Sequence, residues 1–323
     1  MSCYYAFNGD ADGLCALQQL RLAEPQLLQQ VTLVSGVKRD IKLLQRIDGM
    51  AGDDITVLDI SHDQNRADVL RLIEAGASLR YFDHHHAGEL PQHPGFLPYI
   101  EEAADVCTSI LVDRYLGGSH RGWAIVAAFG DSLPDVANAM ARSVGLDPHQ
   151  TSILQRLGIY LNYNAYGETV ADLHFDPVDL AGSMLPFTDP LSFAAHSEAY
   201  ARLAAGYEED MCQARRLAPL RQVPGAMLMC LPDEAWARRA IGVFANELML
   251  AQPDCALSIL SPKSCGGFTV SVRVPAHSLV GAAEFCRAFD TGGGRKLAGG
   301  INHLPESDLD HFAGRFEACF GKA

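Results

Sequence analysis

The chain has 323 residues, which is more than one domain usually holds and predicts two domains. Hydrophobic residues make up 48% and charged residues 20%, a composition that excludes disorder for most of the chain and is typical of a globular protein with sizeable cores. The 39 acidic and 25 basic residues give a formal net charge of −14, which argues against a protein that binds long nucleic acid through broad basic surfaces.

The compartment is predicted from what the sequence lacks. The first residues, MSCYYAFNGDADG, contain no basic leader and no apolar signal region, so we expect a cytoplasmic protein. No apolar run reaches the roughly 18–20 residues of a membrane span, which predicts no membrane partner. Nine cysteines without a CxxC pair favour reduced thiols over disulfides or a zinc site.

The first part of the chain alternates short apolar runs with helical patterns. Such alternation predicts an α/β domain with a mostly parallel sheet and flanking helices, in which ligands bind beyond the carboxyl ends of the strands. The predicted strands cover residues 4–7, 31–37, 55–60 and 79–82. The predicted helices cover residues 14–22, 41–47 and 69–73.

After residue 99 the pattern becomes mostly helical, and a proline-rich stretch over 176–190 marks the approach to a linker. Helices are predicted over 104–116, 123–129, 136–144, 151–160 and 193–217. Strands over 226–231, 256–260 and 268–274, with helices over 235–250, 279–289 and 307–320, then predict a smaller α+β domain. We therefore predict a first domain over 1–185, a linker and connecting helix over 186–215, and a second domain over 216–323.

Carboxylates and histidines follow several of the predicted strands. A single Asp after a strand is usually a turn or N-cap residue, but four such segments at one sheet edge favour a metal site, because adjacent carboxylates repel one another unless cations neutralise them. Oxygen ligands with one or two imidazoles suit Mn²⁺ or Mg²⁺, and a pair of ions about 3.5–4 Å apart is typical of phosphoester hydrolysis. The residues concerned are Asp10, Asp12, Asp59, Asp83, His84, His85 and, after the apolar run AAFGDS, Asp131.

The sequence resembles the DHH phosphoesterase family, whose name describes the triplet formed here by Asp83, His84 and His85. The segment GGGRKLAGG, residues 292–300, is similar to the glycine-rich signature of the DHH-associated domain that usually follows. The resemblance implies a catalytic, metal-binding DHH domain over 1–185 and a substrate-binding DHH-associated domain over 216–323. It also implies an active-site cleft between the two domains.

The resemblance implies a cofactor of two Mn²⁺ ions, with Mg²⁺ as the other candidate. Asp10 and Asp59 would hold the first ion, with Asp59 as the bridge to the second. His85 would face the substrate phosphate, and Asp83 would orient the histidines. The ligands of the second ion would be Asp12, Asp59, His84 and Asp131.

One departure from the family pattern affects the first ion. Many members carry a histidine four residues before the first Asp of the DxD motif, and this chain has Ala6 there. Asn8, two residues before Asp10, is a weak candidate to replace that ligand.

The resemblance assigns substrate binding to the second domain. Arg273 lies on the predicted strand FTVSVRV, and Arg295 stands where the signature commonly has histidine. Arginine stays cationic at every relevant pH and can form two hydrogen bonds to a phosphate or to O6 and N7 of guanine. The backbone N–H groups of Gly293 and Gly294 would help to bind an anion.

Two more candidate substrate contacts lie in the first domain, and each has a structural alternative. Thr108 and Ser109 occupy the place of a small hydroxylated pair in the family, and a helix N-cap role is the alternative for them. Asn164 belongs to the aromatic-rich and amide-rich segment 160–167, which suits base stacking or a packed helix end in equal measure.

These expectations predict a metal-dependent phosphodiesterase, similar to the oligoribonucleases, that hydrolyses very short oligonucleotides to mononucleotides. One candidate substrate is pGpG, the linear guanine dinucleotide released from cyclic di-GMP, and long nucleic acid is not expected as a partner. Alternatives are a nucleotide 3′,5′-bisphosphate phosphatase, a cyclic dinucleotide phosphodiesterase, an exopolyphosphatase and a non-catalytic nucleotide sensor. A homodimer is compatible with the sequence.

Overall fold

The computed structural model describes residues 2–25 and 31–322. The chain divides into two compact units, Met1–Ala205 and Gly206–Ala323. The boundary falls inside the helix Glu198–Ala214, within the stretch 186–215 that we predicted as linker and connecting helix.

The N-terminal unit is built on a five-stranded sheet in which every strand pairs in parallel, in the order β2-β1-β3-β4-β5. The four strands that the sequence predicted are present. The fifth, β5, was not predicted, because its sequence FLPYI contains a proline and alternates little; a proline is tolerated there because β5 lies at the sheet edge. The strands are β1 (Cys3–Phe7), β2 (Val31–Val34), β3 (Asp54–Leu58), β4 (Ser78–Asp83) and β5 (Phe96–Ile100).

Among the described residues, two helices connect strands of this sheet, and the chain after β5 is mainly helical to the end of the unit. The helix predicted over 41–47 is only a 3₁₀ turn, Leu43–Arg46. The helices are α1 (Ala11–Ala23), α2 (His62–Glu74), α3 (Thr108–Tyr115), α4 (Arg121–Gly130), α5 (Pro134–Ser143), α6 (Pro148–Asn164), α7 (Pro177–Met184), α8 (Pro190–His196) and α9 (Glu198–Ala214).

Helices α1, α4 and α6 pack unusually close to one another because glycines lie at their contacts. A Cβ atom at Gly130 would lie 2.4 Å from the Cβ of Ala11, and one at Gly158 would lie 2.3 Å from the carbonyl oxygen of Val126. Both distances are shorter than non-bonded carbon and oxygen atoms allow. The close packing brings the end of α4 and the end of α6 to the start of α1.

The C-terminal unit is an α+β fold around a six-stranded sheet of order β10-β11-β9-β8-β7-β6, in which only β7 and β8 pair in parallel. The glycine run that we expected to bind an anion forms the short edge strand β10. Strands β6, β10 and β11 were not predicted from the sequence. The core of the C-terminal unit contains Phe268, Phe285, Phe312 and Phe316. The elements are β6 (Arg221–Val223), β7 (Ala226–Cys230), α10 (Ala235–Ala251), β8 (Ala256–Pro262), β9 (Phe268–Arg273), α11 (Ala282–Cys286), β10 (Gly292–Gly294), β11 (Ala298–Leu304) and α12 (Leu309–Phe320).

The predicted fold class, a parallel α/β unit followed by a smaller α+β unit, is confirmed. All nine cysteines lie in the described part of the chain and are free thiols, of which only Cys15, Cys107 and Cys286 are buried. Within residues 2–25 and 31–322, the structure contains no helix with the length and apolarity needed to cross a bilayer.

Candidate metal centre

The register of the parallel sheet brings the polar strand ends together. Phe7 of β1 pairs with Leu58 of β3, and Leu58 pairs with Phe82 of β4. The residues that follow these positions therefore leave the sheet at one edge, as the sequence predicted for Asp10, Asp59, Asp83 and the two histidines after it.

Asp131 reaches the same region by a different route. It caps the C-terminus of α4, the helix predicted over 123–129, so grouping it with the segments that follow strands was wrong. The run WAIVAAF before it is buried on all sides, so its continuous apolar pattern is that of a helix buried against α1 and α6 rather than of a central strand.

The DxD turn is held by backbone amides. Oδ1 of Asp10 accepts hydrogen bonds from the N–H groups of Asp12, at 3.0 Å, and Gly13, at 3.2 Å, and so caps the N-terminus of α1. A Cβ atom at Gly13 would lie 2.1 Å from the carbonyl oxygen of Asn8, so the turn requires glycine at this position. The side-chain oxygen of Asn8 accepts a hydrogen bond from the N–H of Asp10 at 3.3 Å.

The carboxylate of Asp12 is fixed at the start of another helix. Its two oxygens accept hydrogen bonds from the N–H groups of Thr108 and Ser109, both at 2.7 Å, at the N-terminus of α3. The hydroxyl of Ser109 donates to the carbonyl oxygen of Asp12 at 2.8 Å. Helix N-termini stabilise negative charge, so this arrangement holds an anionic ligand in a single orientation.

Asp59 lies in a strained backbone conformation. Its φ of 58° is in the left-handed region, which non-glycine residues seldom adopt and which is concentrated at functional sites. Its Oδ1 accepts a hydrogen bond from the hydroxyl of Thr108 at 3.2 Å. The strain and this contact fix the carboxylate beside His84.

His84 is the centre of the cluster. Its Nε2 lies 3.4 Å from Oδ1 of Asp59, 3.8 Å from Oδ2 of Asp131 and 4.0 Å from Oδ2 of Asp12. Its Nδ1 donates to the carbonyl oxygen of Val106 at 2.9 Å, which leaves Nε2 as the nitrogen that can bind a metal. Asp59, His84 and His85 also form a group in which one ligand atom from each residue lies within 4.8 Å of the others.

These residues fit a divalent ion of the Mn²⁺ or Mg²⁺ type. Ligand atoms about 2.1 Å from one ion lie roughly 3–4 Å apart, the range that separates Nε2 of His84 from its three carboxylate neighbours. In addition, the buried Oδ2 of Asp131 has no hydrogen-bond partner among the described residues, which is costly for a carboxylate unless a cation binds there. Asp12, Asp59, His84 and Asp131 would hold the ion.

The pKa values describe a cluster in which the carboxylates outnumber the positive charges. Burial and the charge of Asp59 raise the pKa of Asp12 to about 7, and burial with the charge of Asp10 raises that of Asp59 to about 6. Burial and the charge of Asp12 likewise raise the pKa of Asp131. Burial alone would lower the pKa of His84, but the hydrogen bond and charge of Asp59 and the other carboxylates raise it to about 10.

Asp10 differs from the other aspartates. Burial opposes its ionisation, but the charge of Lys38 and a hydrogen bond from its ammonium outweigh burial and lower the pKa of Asp10. Lys38 was not identified from the sequence. The signal that could have found it is its place in VTLVSGVK, just past the carboxyl end of β2 and so at the ligand-binding edge of the sheet.

Asp83 holds the histidine pair. It is fully buried, and its Oδ1 accepts hydrogen bonds from the backbone N–H of His84 at 2.9 Å and from Nδ1 of His85 at 2.7 Å. The side chain of His85 is 38% exposed, so its other ring nitrogen is available to a ligand. This geometry agrees with the expected division of roles between the two residues, which stays a prediction.

Ser109 and Asn164 have structural roles in place of the substrate contacts that we expected. Ser109 is fully buried, and its N–H and hydroxyl both bind Asp12. Asn164 is also fully buried near the end of α6, where its amide binds the backbone of His174 and Phe175. The segment 160–167 is therefore mainly a packed helix end, the second of the two alternatives.

The remaining predicted contacts lie together in the C-terminal unit. Arg273, at the end of β9, pairs with Ala298 of β11, and the N–H of Arg295 donates to the carbonyl oxygen of Ala298 at 2.8 Å. Arg295 is exposed in the turn that joins β10 to β11, whereas the guanidinium of Arg273 donates to the hydroxyl of Ser271 at 3.0 Å. Gly293 and Gly294 pair with β11, and Gly294 has a φ of 132° that favours glycine.

Comparison with solved structures identifies the fold. The exonuclease RecJ bound to manganese is 18% identical, with a TM-score of 0.65 over 98% of this chain and 89% of that chain. The DHH domain of a member of the s1p family of ribosomal proteins is 14% identical, with a TM-score of 0.67 over 100% of this chain and 87% of that chain. The pGpG-specific phosphodiesterase PggH from Vibrio cholerae is 15% identical, with a TM-score of 0.55 over 99% and 100% of the two chains.

These likenesses show that the chain has the fold of the DHH phosphoesterases, and the predicted resemblance is confirmed at the level of the fold. No protein-family model matches the sequence, and no curated protein matches it. The activity therefore has to be argued from the site.

Proposed function

We propose that this protein is a divalent-metal-dependent phosphodiesterase that hydrolyses dinucleotides and other very short oligonucleotides to mononucleotides. The observation that carries the proposal is the position of Nε2 of His84 within 4.0 Å of three carboxylates, the buried Asp12 and Asp59 and the partly buried Asp131, at the ligand-binding edge of a DHH-type sheet. Structural neighbours with this fold include an exonuclease and a phosphodiesterase, which supports phosphoester hydrolysis as the reaction class.

The proposed chemistry divides between the ion and the side chains. A divalent ion held by Asp12, Asp59, His84 and Asp131, with Mn²⁺ as our first expectation and Mg²⁺ as the other candidate, would supply Lewis-acid polarisation of a phosphoryl oxygen and would lower the pKa of the attacking water, so that hydroxide is available near neutral pH. The α3 amides hold Asp12 and the hydroxyl of Thr108 holds Asp59, so neither ligand needs to reorganise. His85, oriented by Asp83, donates a hydrogen bond to the phosphate and stabilises the charge that develops on it.

Charge supports a short substrate. The net charge of −14 opposes a long polyanion, and most of the acidic surplus lies in the N-terminal unit, since basic and acidic residues nearly balance over 206–323. A dinucleotide needs only the metal centre and one or two cationic side chains. We propose Arg295 and Arg273 as those side chains, with pGpG as the candidate substrate, because arginine can bind both phosphate and guanine.

A chain-length series tests the proposal. Purified protein with MnCl₂ is incubated with 5′-labelled pGpG, pApA, a pentanucleotide and a twenty-residue single strand, and with nucleotide 3′,5′-bisphosphate, cyclic di-GMP and polyphosphate. We expect the highest kcat/KM on the dinucleotides and a fall with increasing length.

Other outcomes of this series contradict the proposal and identify the alternative. Preference for the long strand would indicate a single-strand exonuclease, and preference for bisphosphate, cyclic dinucleotide or polyphosphate would indicate the corresponding enzyme. Binding of a nucleotide without turnover of any substrate would indicate a sensor. Asp59→Asn is the control that separates hydrolysis by this site from hydrolysis by a contaminant.

A further inference from the structure

The ammonium group of Lys38 is held in a fixed position beside the DxD turn. Its Nζ donates hydrogen bonds to Oδ2 of Asp10 and, at 2.9 Å, to the side-chain oxygen of Asn162. The backbone N–H of Lys38 donates to the carbonyl oxygen of Ala165 at 2.9 Å. Both ends of the residue are thus anchored to the end of α6, and the lysine side chain is only 26% exposed.

This position coincides with the place where a first metal ion was expected. Oδ1 of Asp10 caps α1, and Oδ2 binds the ammonium of Lys38, whose positive charge repels a second cation at this carboxylate. Ala6, where many family members have a histidine, is fully buried and offers no ligand atom. The side-chain oxygen of Asn8 accepts the N–H of Asp10. With the ammonium of Lys38 on Asp10, the residues at this position therefore do not fit a second divalent ion.

In the described part of the chain, the other three aspartates of the cluster differ from Asp10 in lacking an ammonium group as a partner. Among residues 2–25 and 31–322, Asp12, Asp59 and Asp131 have no lysine or arginine in hydrogen-bond contact, and an oxygen of Asp131 has no hydrogen-bond partner there. These three carboxylates need a cation from solution, whereas Asp10 has one supplied by the chain.

We propose that Lys38 takes the place of one of the two metal ions, so that the site binds a single divalent ion at Asp12, Asp59, His84 and Asp131. The ammonium then supplies the second positive charge next to the substrate phosphate, where lysine acts as a point charge and hydrogen-bond donor. The inference rests on the proposed function, since the role of the ammonium toward phosphate presupposes a phosphoester substrate.

Metal stoichiometry tests this inference without reference to activity. MnCl₂ is titrated into the chelator-treated full-length protein by calorimetry, and the saturated sample is examined by electron paramagnetic resonance. We expect one tightly bound Mn²⁺ per chain, with the spectrum of an isolated ion. Lys38→Ala frees Oδ2 of Asp10, and we expect it to bind a second Mn²⁺ with the spectrum of an exchange-coupled pair.

The matched control is Lys42→Ala, which removes an exposed lysine four residues away and should keep one ion. Lys38→Met, which keeps the length of the side chain, serves if Lys38→Ala does not fold by circular dichroism. Two coupled ions in the wild type, or one ion in both well-folded Lys38 variants, would overturn the inference. If the wild type binds two ions and cleaves dinucleotides, only the lysine role fails; if it binds one ion and cleaves no phosphoester, only the proposed function fails.

Discussion

Nε2 of His84 lies 3.4 Å from Oδ1 of Asp59, and the opposite nitrogen of the same ring donates to a backbone carbonyl. With no ion bound, the raised pKa of His84 makes Nε2 a hydrogen-bond donor to a carboxylate whose own pKa is raised by burial and by the charge of Asp10. Two groups that both accept protons or cations have been placed together in a buried site, and a divalent ion satisfies both.

Replacing Asp59 with asparagine removes this charge and keeps the backbone, because asparagine tolerates the left-handed conformation that Asp59 adopts at φ 58°. We expect turnover to fall by more than about 100-fold, since even residues that only support a metal ligand cost 10–100-fold. We also expect the metal-free protein to become more stable, because one buried carboxylate is gone.

Thermal unfolding with and without MnCl₂ checks both effects. Mn²⁺ should raise the melting temperature of the wild type and have little effect on Asp59→Asn. An equal Mn²⁺-induced shift in the two proteins would mean that Asp59 is not a ligand.

The stability of the metal-free protein should fall as pH rises. Asp59 and Asp12 have folded pKa values of about 6 and about 7, above the ordinary 3.8, so the folded state binds more protons and loses this advantage between about pH 4 and 7. His84, raised from 6.5 to about 10, acts in the same direction up to about pH 10. The lowered pKa of Asp10 acts oppositely, but only below 3.8.

Urea unfolding in EDTA across this range measures the effect. We expect the free energy of unfolding to decrease steadily from about pH 5 to about pH 8, with a smaller slope in Asp59→Asn. Saturating Mn²⁺ should reverse the trend, because its ligands bind as deprotonated groups. A metal-free wild type that gains stability over the same range would show that these groups are not buried together.

His85→Gln separates the two possible roles of this histidine. If His85 contacts the phosphate, turnover falls by about 100- to 10,000-fold and the affinity for Mn²⁺ changes little. Loss of Mn²⁺ binding would instead make His85 a metal ligand, as its distance from Asp59 and His84 also allows. His86→Gln is the control, because His86 is the next residue and its side chain is 77% exposed.

Asp83→Asn tests the positioning of His85. Burial would lower the pKa of His85, but the hydrogen bond to Asp83 and the charges of the carboxylates raise it. We expect turnover to fall about 10- to 100-fold and the alkaline limb of the pH–rate profile to move to lower pH, because His85 acts in its protonated form. A fall in turnover with an unmoved profile would point to a structural role for Asp83 alone.

Arg295→Ala tests substrate binding by the C-terminal unit. We expect KM for pGpG to rise about 10-fold or more with a smaller change in kcat, and the preference for pGpG over pApA to shrink if the guanidinium reads guanine. The matched control is Arg287→Ala, an exposed arginine at the end of α11. Equal KM changes in both variants would reject a specific contact by Arg295.

The sequence predicted which residues lie at the edge of the sheet, because each strand is an apolar run that ends at polar residues. Asp10 and Asp59 each follow a short apolar run, and parallel topology alone brings such positions together. The helix before Asp131 was predicted, but Asp131 was still grouped with the strand ends, since a fully buried helix and a central strand have the same apolar pattern.

The place of Lys38 after β2 indicates the sheet edge, but no local pattern predicts which side chains it contacts there. Its partner Asn162 is 124 residues away, and the contact depends on how closely α6 packs against α1 and α4. The structural roles of Ser109 and Asn164 could not be predicted either, because tertiary packing and not sequence spacing determines their hydrogen-bond partners.

The most direct test of the central claim is the rate of GMP formation from pGpG as a function of Mn²⁺ concentration. We predict no turnover in EDTA and saturable activation whose midpoint matches the Mn²⁺ concentration that stabilises the protein against unfolding. Turnover that persists in EDTA, or full Mn²⁺ binding with no hydrolysis of pGpG or any other dinucleotide, would contradict the account.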